Sequence, residues 1–281
     1  MKFFIATVLA LLQLGVEGKD FQPLLEPRIV RGRNATLGQF PYMVSLRYRN
    51  SHICGGSIIS ANYILTAAHC VTTEIDGEIF DTAPRQLSIR AGSLRRNAEG
   101  IIVQVAEYTK YPGYHGLLGD IAVVRLVQPL NFTDHIRSIN LTESNPPDFV
   151  RVLTAGWGRL FEDGPRPRFL QFTSMSVLSH GVCSILNPAM NESLLCLLPN
   201  RPALNGVCNG DSGGPAVYDG QLIGVANYIR GNCGARHPDV FASVAHYANW
   251  IRENSDLGNT DVEDSNSLNI DSESSDAENI V

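Results

Sequence analysis

Short apolar segments separated by turn residues make up most of this chain of 281 residues. The segments are about four to eight residues long, or slightly shorter, and are rich in Val, Ile, Leu and Tyr. Gly and Pro lie in the intervals, and no long segment with a helical period occurs before the C-terminal part. This pattern predicts an all-β protein built as a sandwich or as barrels. The predicted strands span residues 42–48, 58–65, 86–90, 101–105, 121–126, 151–155, 171–177, 216–218, 222–226 and 240–244.

One helix is predicted near the C-terminus, over residues 243–253. Val244, Tyr247 and Ile251 recur there at helical spacing and form an apolar stripe. We expect this helix to pack on the β core.

The first 18 residues have the features of a secretory signal peptide. Lys2 gives a positive start, residues 3–14 form an almost unbroken apolar run, and Val16-Glu17-Gly18 offers a small residue for cleavage. The run is too short to span a bilayer, and no later stretch reaches about 18 apolar residues. We therefore expect a secreted, extracellular protein without a membrane anchor.

Cysteines and glycosylation sequons agree with secretion. Six cysteines in a secreted chain predict three disulfides, for which sequence alone allows 15 connectivities. If neighbours in sequence pair, the bridges are Cys54–Cys70, Cys183–Cys196 and Cys208–Cys233. The candidate glycosylation sites are Asn34, Asn131, Asn140 and Asn191.

The net charge of −6 comes from the C-terminal end. Residues 255–281 hold eight acidic residues and no Lys or Arg, and the chain without them has a balance of +2. Their Ser, Asn, Asp and Glu content and their lack of aromatic residues predict a disordered tail. This tail is either a shield over a basic surface or a plain solvated segment.

A glycine-rich turn, Gly210-Asp211-Ser212-Gly213-Gly214-Pro215, carries the strongest chemical signal. Glycines on both sides of Ser212 allow a sharp turn and a close approach of a substrate carbonyl. The N–H groups of Gly210 and Ser212 can then converge on one point and form an oxyanion hole. Asp211 needs a partner for its carboxylate. The alternative for the six residues alone is a surface turn with an exposed serine.

Two further residues complete a catalytic set. His69 follows an apolar strand, and Asp120 lies at the start of a buried strand, where a carboxylate needs a hydrogen-bond partner. Ser212 is a weak nucleophile until a base takes its proton, and His is suited to that role near neutral pH. Asp120 would fix the tautomer of His69 and stabilise its imidazolium form. A lone His or Asp is more often an ordinary structural residue, so the argument rests on the set.

A processing site lies upstream, where Arg28 precedes Ile29-Val30. Cleavage after Arg28 creates a new amino terminus at Ile29, and its amine is a candidate partner for Asp211. The alternative is an ordinary edge strand.

Together these stretches resemble the trypsin/chymotrypsin-like (S1-type) serine endopeptidases. The order His, Asp, Ser agrees with the family, and the similarity covers residues 29 to about 254. The matching stretches are Arg28-Ile29-Val30, Cys54-Gly55-Gly56-Ser57, residues 66–70, residues 120–126, Gly156-Trp157-Gly158, residues 210–215, Pro238-Asp239-Val240-Phe241 and Trp250-Ile251.

The resemblance implies two antiparallel six-stranded β-barrels with the active site between them and a C-terminal α-helix. His69 and Asp120 would come from the first barrel and Ser212 from the second. It also implies that residues 19–28 are an activation propeptide, that the Ile29 amine pairs with Asp211, and that residues 29–254 form the peptidase domain. The neighbour pairing of cysteines matches family disulfides, with Cys208–Cys233 bracing the specificity pocket. The absence of further bridges resembles invertebrate members.

The substrate pocket departs from that of trypsins, which carry Asp where this chain has Gly206, followed by Val207. An acid occurs instead on another strand, at Asp239. Gly206 with Asp239 resembles the invertebrate collagenolytic, brachyurin-like proteases, and implies a non-tryptic, broad specificity. Asp239 either receives a basic substrate side chain from the opposite side of the pocket or bonds to the backbone at the start of its strand.

The pocket wall differs from the usual Ser-Trp-Gly and consists of Asn227-Tyr228-Ile229. Ile229 would narrow the pocket mouth, as bulky aliphatic residues do in elastases. Asn227 replaces a Ser that usually lies near the catalytic Asp, and its amide can donate to a carboxylate. The pocket therefore favours small or aliphatic residues or is partly blocked.

We expect no metal and no cofactor. Calcium-binding members of the family carry an acidic ligand near Ser93, where this chain has Arg95 and Arg96, and these cations would repel Ca²⁺. The two arginines form either an exosite for an acidic partner or part of a solvated loop.

Two functions fit the sequence. The first is a secreted serine endopeptidase, made as a zymogen and acting through an acyl-enzyme, with chymotrypsin-, elastase- or collagenase-like specificity. The alternative is a weakly active or inactive homologue that serves as a secreted binding protein. The expected partners are protein or peptide substrates, an activating trypsin-like protease and, from the family, serpin or Kunitz inhibitors. We expect a monomer that binds no nucleic acid.

Overall fold

A computed structural model describes residue 30 and residues 32–200 and 205–259. The predicted signal peptide, the expected activation segment with Arg28 and Ile29, and most of the acidic tail lie outside the described residues. Within the described part, no helix is long and apolar enough to cross a membrane.

Six strands close the first barrel and are, in their order around it, β2 Met43–Tyr48, β3 Ser51–Ile58, β4 Tyr63–Thr66, β9 Ala122–Leu126, β8 Ile101–Lys110 and β7 Leu87–Ala91. Its neighbouring strands all pair antiparallel. Apolar side chains such as Leu46, Ile64 and Ile89 fill its interior and are fully buried. A separate hairpin follows β4 and consists of β5 Thr72–Ile75 and β6 Glu78–Asp81.

Six strands form the second barrel and are, in their order around it, β12 Gln171–Val177, β11 Arg151–Gly156, β14 Pro215–Tyr218, β15 Gln221–Tyr228, β16 Asp239–Ser243 and β13 Leu194–Pro199. The barrel closes because β13 pairs back to β12. Met175, Leu197 and Phe241 lie at its centre and are fully buried. The prediction of two closed antiparallel six-stranded barrels is therefore confirmed. Two short strands extend this sheet: β1 Arg33–Asn34 pairs with β12, and β10 Asn140–Leu141 lies parallel to β15.

Two α-helices are present in the described part, α1 His180–Leu186 and α2 Val244–Glu253. The Oγ of Ser243 accepts from the N–H of His246 at 3.3 Å and so caps the start of α2. The apolar face of α2, with Val244, Tyr247 and Ile251, is buried against the first barrel, and the predicted C-terminal helix is confirmed.

One predicted strand, 58–65, is wrong. The chain turns between Ile58 and Tyr63, so that β3 ends and β4 begins within that range. The range was misplaced because Gly55 and Gly56 are typical of a turn, whereas they lie inside β3 and the turn follows Ile58. A Cβ on Gly56 would lie 2.9 Å from Ile64 Cγ2, so the glycine permits close packing of β3 on β4.

The ordered structure continues beyond residue 254, where we placed the start of a disordered tail. A 3₁₀-helix spans Asp256–Asn259, and Leu257 packs against the hydrophobic core of the first barrel. Asn62 Nδ2 donates to Asp256 Oδ2 at 2.9 Å and ties this segment to the first barrel. Residues 260–281 lie outside the described residues.

All six cysteines form disulfides between sequence neighbours, and the four sequon asparagines are exposed. The bridges are Cys54–Cys70, Cys183–Cys196 and Cys208–Cys233. The first bridge joins β3 to the segment that carries His69. The third joins the loop after β15 to the segment just before residues 210–215, which we call the nucleophile turn.

The close packing at Gly55 leads to a stability prediction. A Cβ at this position would lie 2.8 Å from the Cα of Gly214, which is backbone and cannot rotate away. We expect Gly55→Ala to lower the free energy of unfolding by about 1–3 kcal/mol, as overpacking does. Gly181→Ala in α1 is the matched control, because no atom lies within 4 Å of its added Cβ. Denaturant unfolding with intact disulfides measures both, and equal stability of the two variants would refute the proposed contact.

Candidate active site

The two barrels meet backbone to backbone beside Ser212. The N–H of Gly55 in β3 donates to the carbonyl of Ser212 at 2.8 Å. The same glycine packs on Gly214, where any side chain would clash. This junction sets the nucleophile turn of the second barrel against the wall of the first barrel.

His69 and Asp120 are held together by two hydrogen bonds. The Nδ1 of His69 lies 2.7 Å from Asp120 Oδ2, and the backbone N–H of His69 donates to Asp120 Oδ1 at 2.8 Å. Asp120 is buried, whereas about a third of the His69 side chain is exposed. Because a carboxylate accepts, Nδ1 carries the proton and Nε2 is free to act as a base.

The Nε2 atom of His69 lies 3.7 Å from Sγ of Cys70, beside the Cys54–Cys70 disulfide. Among the described residues it forms no hydrogen bond to Ser212. Such bonds are often long in unliganded enzymes and tighten when a substrate binds. Both sulfurs are committed to the disulfide, so they do not form a metal site with His69.

The nucleophile turn leaves two amides unused. Gly210 has φ +104°, a conformation that only glycine adopts readily. The N–H groups of residues 211, 213 and 214 donate to backbone carbonyls at 2.7 to 2.9 Å. Those of Gly210 and Ser212 donate to no acceptor within the described chain. Two free donors beside a serine hydroxyl are what an oxyanion hole requires.

Asp211 is buried in a cradle built from Gly156 and Gly158. A Cβ on either glycine would overlap the Asp211 carboxylate. The N–H of Gly158 donates to Oδ1 at 2.7 Å, and the N–H of Cys208 donates to Oδ2 at 3.0 Å. Burial nevertheless raises the pKa of Asp211 to about 6, against these two bonds and the charge of Arg166. A cationic partner would offset the free-energy cost of burying the ionised carboxylate.

The expected cationic partner, the amine of Ile29, lies outside the described residues. Its neighbour Val30 is described and is buried against Cys208, Cys233 and Ile229. The chain that follows Ile29 therefore begins beside the nucleophile turn.

His52 is a further site residue that sequence reasoning missed. It is buried in β3, and its Nε2 lies 3.1 Å from the carbonyl of Gly210. Its Nδ1 lies 2.8 Å from Ser45 Oγ. Burial lowers the pKa of His52 to about 3, so the ring is neutral and Nε2 is the donor. His52 thereby fixes the carbonyl of Gly210 in the nucleophile turn. Nothing in its local sequence distinguishes it from an ordinary strand residue.

A pocket of about 240 Å³ opens beside Ser212. Its lining contains four of the six residues that we assigned to the substrate pocket. The lining residues are Val207, Cys208, Asn209, Ser212, Ala226, Asn227, Tyr228 and Ile229.

Gly206 and Asp239 lie behind this lining and depend on each other. A Cβ on Gly206 would lie 2.5 Å from Asp239 Oδ2, so the carboxyl occupies the space of a side chain at 206. Asp239 is buried, and its Oδ2 accepts from the N–H of Val207 at 2.8 Å. The backbone bond expected at the start of the strand is thus present. Burial, opposed by this bond and assisted by the charge of Asp211, raises the pKa of Asp239 to about 7.

The pocket wall makes contacts that the sequence did not indicate. Asn227 Nδ2 donates to the carbonyl of Leu117 at 2.9 Å rather than to the Asp120 carboxylate. It therefore ties β15 to the loop that precedes Asp120. The Tyr228 hydroxyl accepts from Asn187 Nδ2 at 2.7 Å, and half-buried Ile229 lines the pocket.

Known proteins share this architecture. The family model described as Trypsin matches residues 29–251. Serine protease SP24D of Anopheles gambiae is 36% identical over 225 residues, which cover 80% of each chain. Trypsin delta of Drosophila erecta is 34% identical over 239 residues, covering 83% of this chain and 90% of the relative.

A solved structure agrees. Neuropsin, a serine protease expressed in the limbic system of mouse brain, superposes with a TM-score of 0.70 at 26% identity, covering 79% of this chain and 97% of neuropsin. With two closed barrels, a matching family model over most of its length and these relatives, the chain belongs to the trypsin family and is a serine endopeptidase.

Proposed function

We propose that the protein is a secreted endopeptidase, made as a zymogen, whose catalytic residues are His69, Asp120 and Ser212. The observation that carries this proposal is the nucleophile turn itself. Gly210 and Ser212 keep free N–H donors while every other non-proline amide of the turn is bonded. A turn with only a structural role would have no reason to leave these two donors unused.

The proposed reaction uses these groups in sequence. His69 Nε2 removes the proton from Ser212 Oγ as the oxygen attacks the peptide carbonyl carbon, and the carbonyl oxygen becomes negative beside the N–H groups of Gly210 and Ser212. Asp120 stabilises the imidazolium. His69 then gives the proton to the leaving amine, the C–N bond breaks, and an acyl-serine remains. His69 next removes a proton from water, whose oxygen attacks the ester carbon. The ester C–O bond breaks, the acid product leaves, and the His69 imidazolium returns the proton to Ser212 Oγ.

The pocket supports a specificity that is broad and not tryptic. Ile229 narrows the mouth and Val207 adds apolar surface, which favours aliphatic and other apolar side chains. Asp239 lies behind the lining, bound to the Val207 N–H, and its charge depends on pH near neutrality. When ionised it favours a basic side chain that reaches the bottom of the pocket. This combination supports a brachyurin-like, invertebrate type of pocket.

Activation is proposed to occur by cleavage after Arg28. The buried position of Val30 beside Cys208 supports this, because the amine of Ile29 precedes it by one residue. A cation there would pair with Asp211, whose carboxylate is buried and has only backbone donors among the described residues. Breaking such a buried pair from one side costs about 3–5 kcal/mol, enough for a switch.

The partners follow from this activity. They are peptide or protein substrates, an activating protease that cuts after Arg28, and inhibitors of the serpin or Kunitz type. Exposed Asn34, Asn131, Asn140 and Asn191 are accessible to glycosylation and support passage through the secretory pathway.

Replacing the catalytic groups tests the proposed chemistry. We expect Ser212→Ala and Asp120→Asn each to lower kcat of the activated protein by about 10⁴-fold or more, because one removes the nucleophile and the other favours the wrong tautomer of His69. Turnover of a peptide library and labelling by a serine-directed phosphonate measure this. Ser138→Ala, at an exposed serine, is the control. Unlabelled activated protein without turnover would support a binding role instead.

Blocking the processing site tests activation. We expect the purified precursor to gain at least about 100-fold in activity when a trypsin-like protease cuts after Arg28, since the released amine stabilises the Asp211 carboxylate and the turn. Arg28→Gln should remain uncut and inactive. N-terminal sequencing must show Ile29. Full activity of Arg28→Gln, uncut, would refute the zymogen.

The pH dependence of specificity tests Asp239. Its pKa is raised to about 7, so the carboxyl is neutral below that pH and ionised above it. We expect the ratio of kcat/KM for Arg over Leu at the cleaved position to rise by roughly tenfold between pH 6 and pH 8. Taking the ratio cancels any effect of pH on catalysis that both substrates share. Asp239→Asn should flatten it, whereas Asp148→Asn, at an exposed site, should not. A flat ratio in the unchanged enzyme would show that Asp239 does not face the substrate.

A further inference from the structure

Arginines gather beside the nucleophile turn, on the side of Gly210. We define the arginine cluster as Arg47, Arg90, Arg96, Arg166 and Arg168. Its loops are joined by the backbone, because the N–H of Arg96 donates to the carbonyl of Arg168 at 3.0 Å. The neighbouring bond from Leu170 to Leu94, 2.7 Å long, continues this pairing. The cluster is therefore a built feature of the fold.

Several guanidinium groups of the cluster are buried with unused donors. Arg47 and Arg90 are 5% and 7% exposed. Each reaches one backbone carbonyl, that of Asn50 or Glu99. The Nε atoms of Arg47, Arg90 and half-buried Arg96 are buried and have no hydrogen-bond partner in the described structure. Unpaired cationic donors in such positions are costly, and an anion would relieve that cost.

No carboxylate of the described residues forms an ion pair with the cluster. The arginines that do form pairs are Arg95, Arg125, Arg137 and Arg252, none of them in the cluster. Glu99 is the nearest acid in sequence, and its carboxylate pairs with Arg95. Buried Asp211 is near Arg166, but the N–H groups of Gly158 and Cys208 occupy its oxygens. The cluster thus carries a net positive charge.

The cluster adjoins the reacting centre. The Nε of Arg166 lies 3.1 Å from where a Cβ on Gly210 would be. After burial and the bond to Gly210, the charges of Arg166, Arg96 and Arg47 are the next influences on the pKa of His52, which holds the Gly210 carbonyl. Three arginines therefore lie within electrostatic reach of His52 and the nucleophile turn.

The cluster and the substrate pocket lie on different sides of this turn. Cys208, Asn209 and Ser212 line the pocket, which takes the side chain on the acyl side of the scissile bond. A side chain on Gly210 would instead point at Gly158 and Arg166, because its Cβ would lie 3.2 Å from Gly158 Cα and 3.1 Å from Arg166 Nε. Because the acyl-side side chain takes the pocket, we assign the leaving-group segment to the other side of the turn, past Gly210.

We infer that the arginine cluster is a subsite for acidic side chains on the leaving-group side of the scissile bond, with exposed Arg166 and half-buried Arg96 as the residues that receive them. This inference rests on the proposed function, because it assigns part of the substrate of the same site. Arg166 offers a planar fork of donors for a carboxylate, and Arg96 adds a second charge. The charges of buried Arg47 and Arg90 add a positive electrostatic potential to this subsite without contacting the substrate.

Paired peptides test the subsite. Two internally quenched peptides share one acyl-side sequence and carry either Glu-Glu or Gln-Gln at the second and third positions after the scissile bond. We expect kcat/KM of the activated enzyme to be about three- to tenfold higher for the Glu-Glu peptide. Raising the ionic strength from about 0.1 M to about 1 M shortens the screening length from about 10 Å to about 3 Å and should reduce this ratio.

Matched variants assign the preference to the cluster. Arg166→Gln and Arg96→Gln should each lower the Glu-Glu to Gln-Gln ratio, and the double variant should bring it close to one. Arg151→Gln, at the far end of β11, changes the charge equally and should keep the ratio. A ratio near one in the unchanged enzyme, or a ratio that survives the double variant, overturns the inference.

Two controls separate this outcome from failure of the proposed function. Phosphonate labelling counts active sites, and an anilide substrate with no residue after the scissile bond reports catalysis without the subsite. An enzyme that cleaves the anilide but shows no acidic preference retains the proposed function and refutes the subsite. A preference that emerges only after deletion of residues 260–281 also overturns it, and assigns the cluster to the chain's own acidic tail.

Discussion

The contact between Gly55 and the nucleophile turn is the constraint on which the site depends. One barrel supplies His69 and Asp120 and the other supplies Ser212, so their relative position is set wherever the barrels touch. They touch through backbone, with the N–H of Gly55 on the Ser212 carbonyl and its Cα against Gly214. Backbone has no rotamers to adjust, so this junction fixes the nucleophile more tightly than side-chain packing would.

Asp211 is the costly element of this arrangement. Its carboxylate is fully enclosed and its pKa is raised, although two N–H groups are bonded to it. The glycines of Gly156-Trp157-Gly158 are needed because any side chain there would fill the carboxylate's space. No cation of the described residues is bonded to this carboxylate, so one amine that pairs with it would stabilise its ionised form and thereby the turn. His52 supports the same turn from the first barrel and stays neutral because it is buried.

The fold class, the C-terminal helix and the candidate triad follow from the sequence, because each rests on residue types whose chemistry is specific. Strand boundaries were less accessible. Gly55 and Gly56 occur in β3 because neighbouring backbone and Ile64 leave no room, which is a tertiary reason that local propensity does not encode. The same holds for His52, for Asn227, which bonds to Leu117 instead of a carboxylate, and for residues 256–259, which pack despite their polar composition.

The two sides of Ser212 differ in charge, and this difference gives the cleft a direction. On the pocket side, Gly206 and Asp239 form a coupled pair, since the carboxyl fills the space that any larger residue at 206 would need. An acid moved to position 206 would therefore clash with Asp239, and pocket chemistry changes only if both positions change together. Beyond Gly210 the field is positive, because Arg47, Arg96 and Arg166 lie within electrostatic reach of His52 and form no ion pair with a carboxylate of the described residues. A peptide bound across the turn thus meets a titratable acid before the scissile bond and fixed cations after it. Opposite charges at the two ends favour one chain orientation over the reverse, and they do so through long-range fields that act before close contacts form.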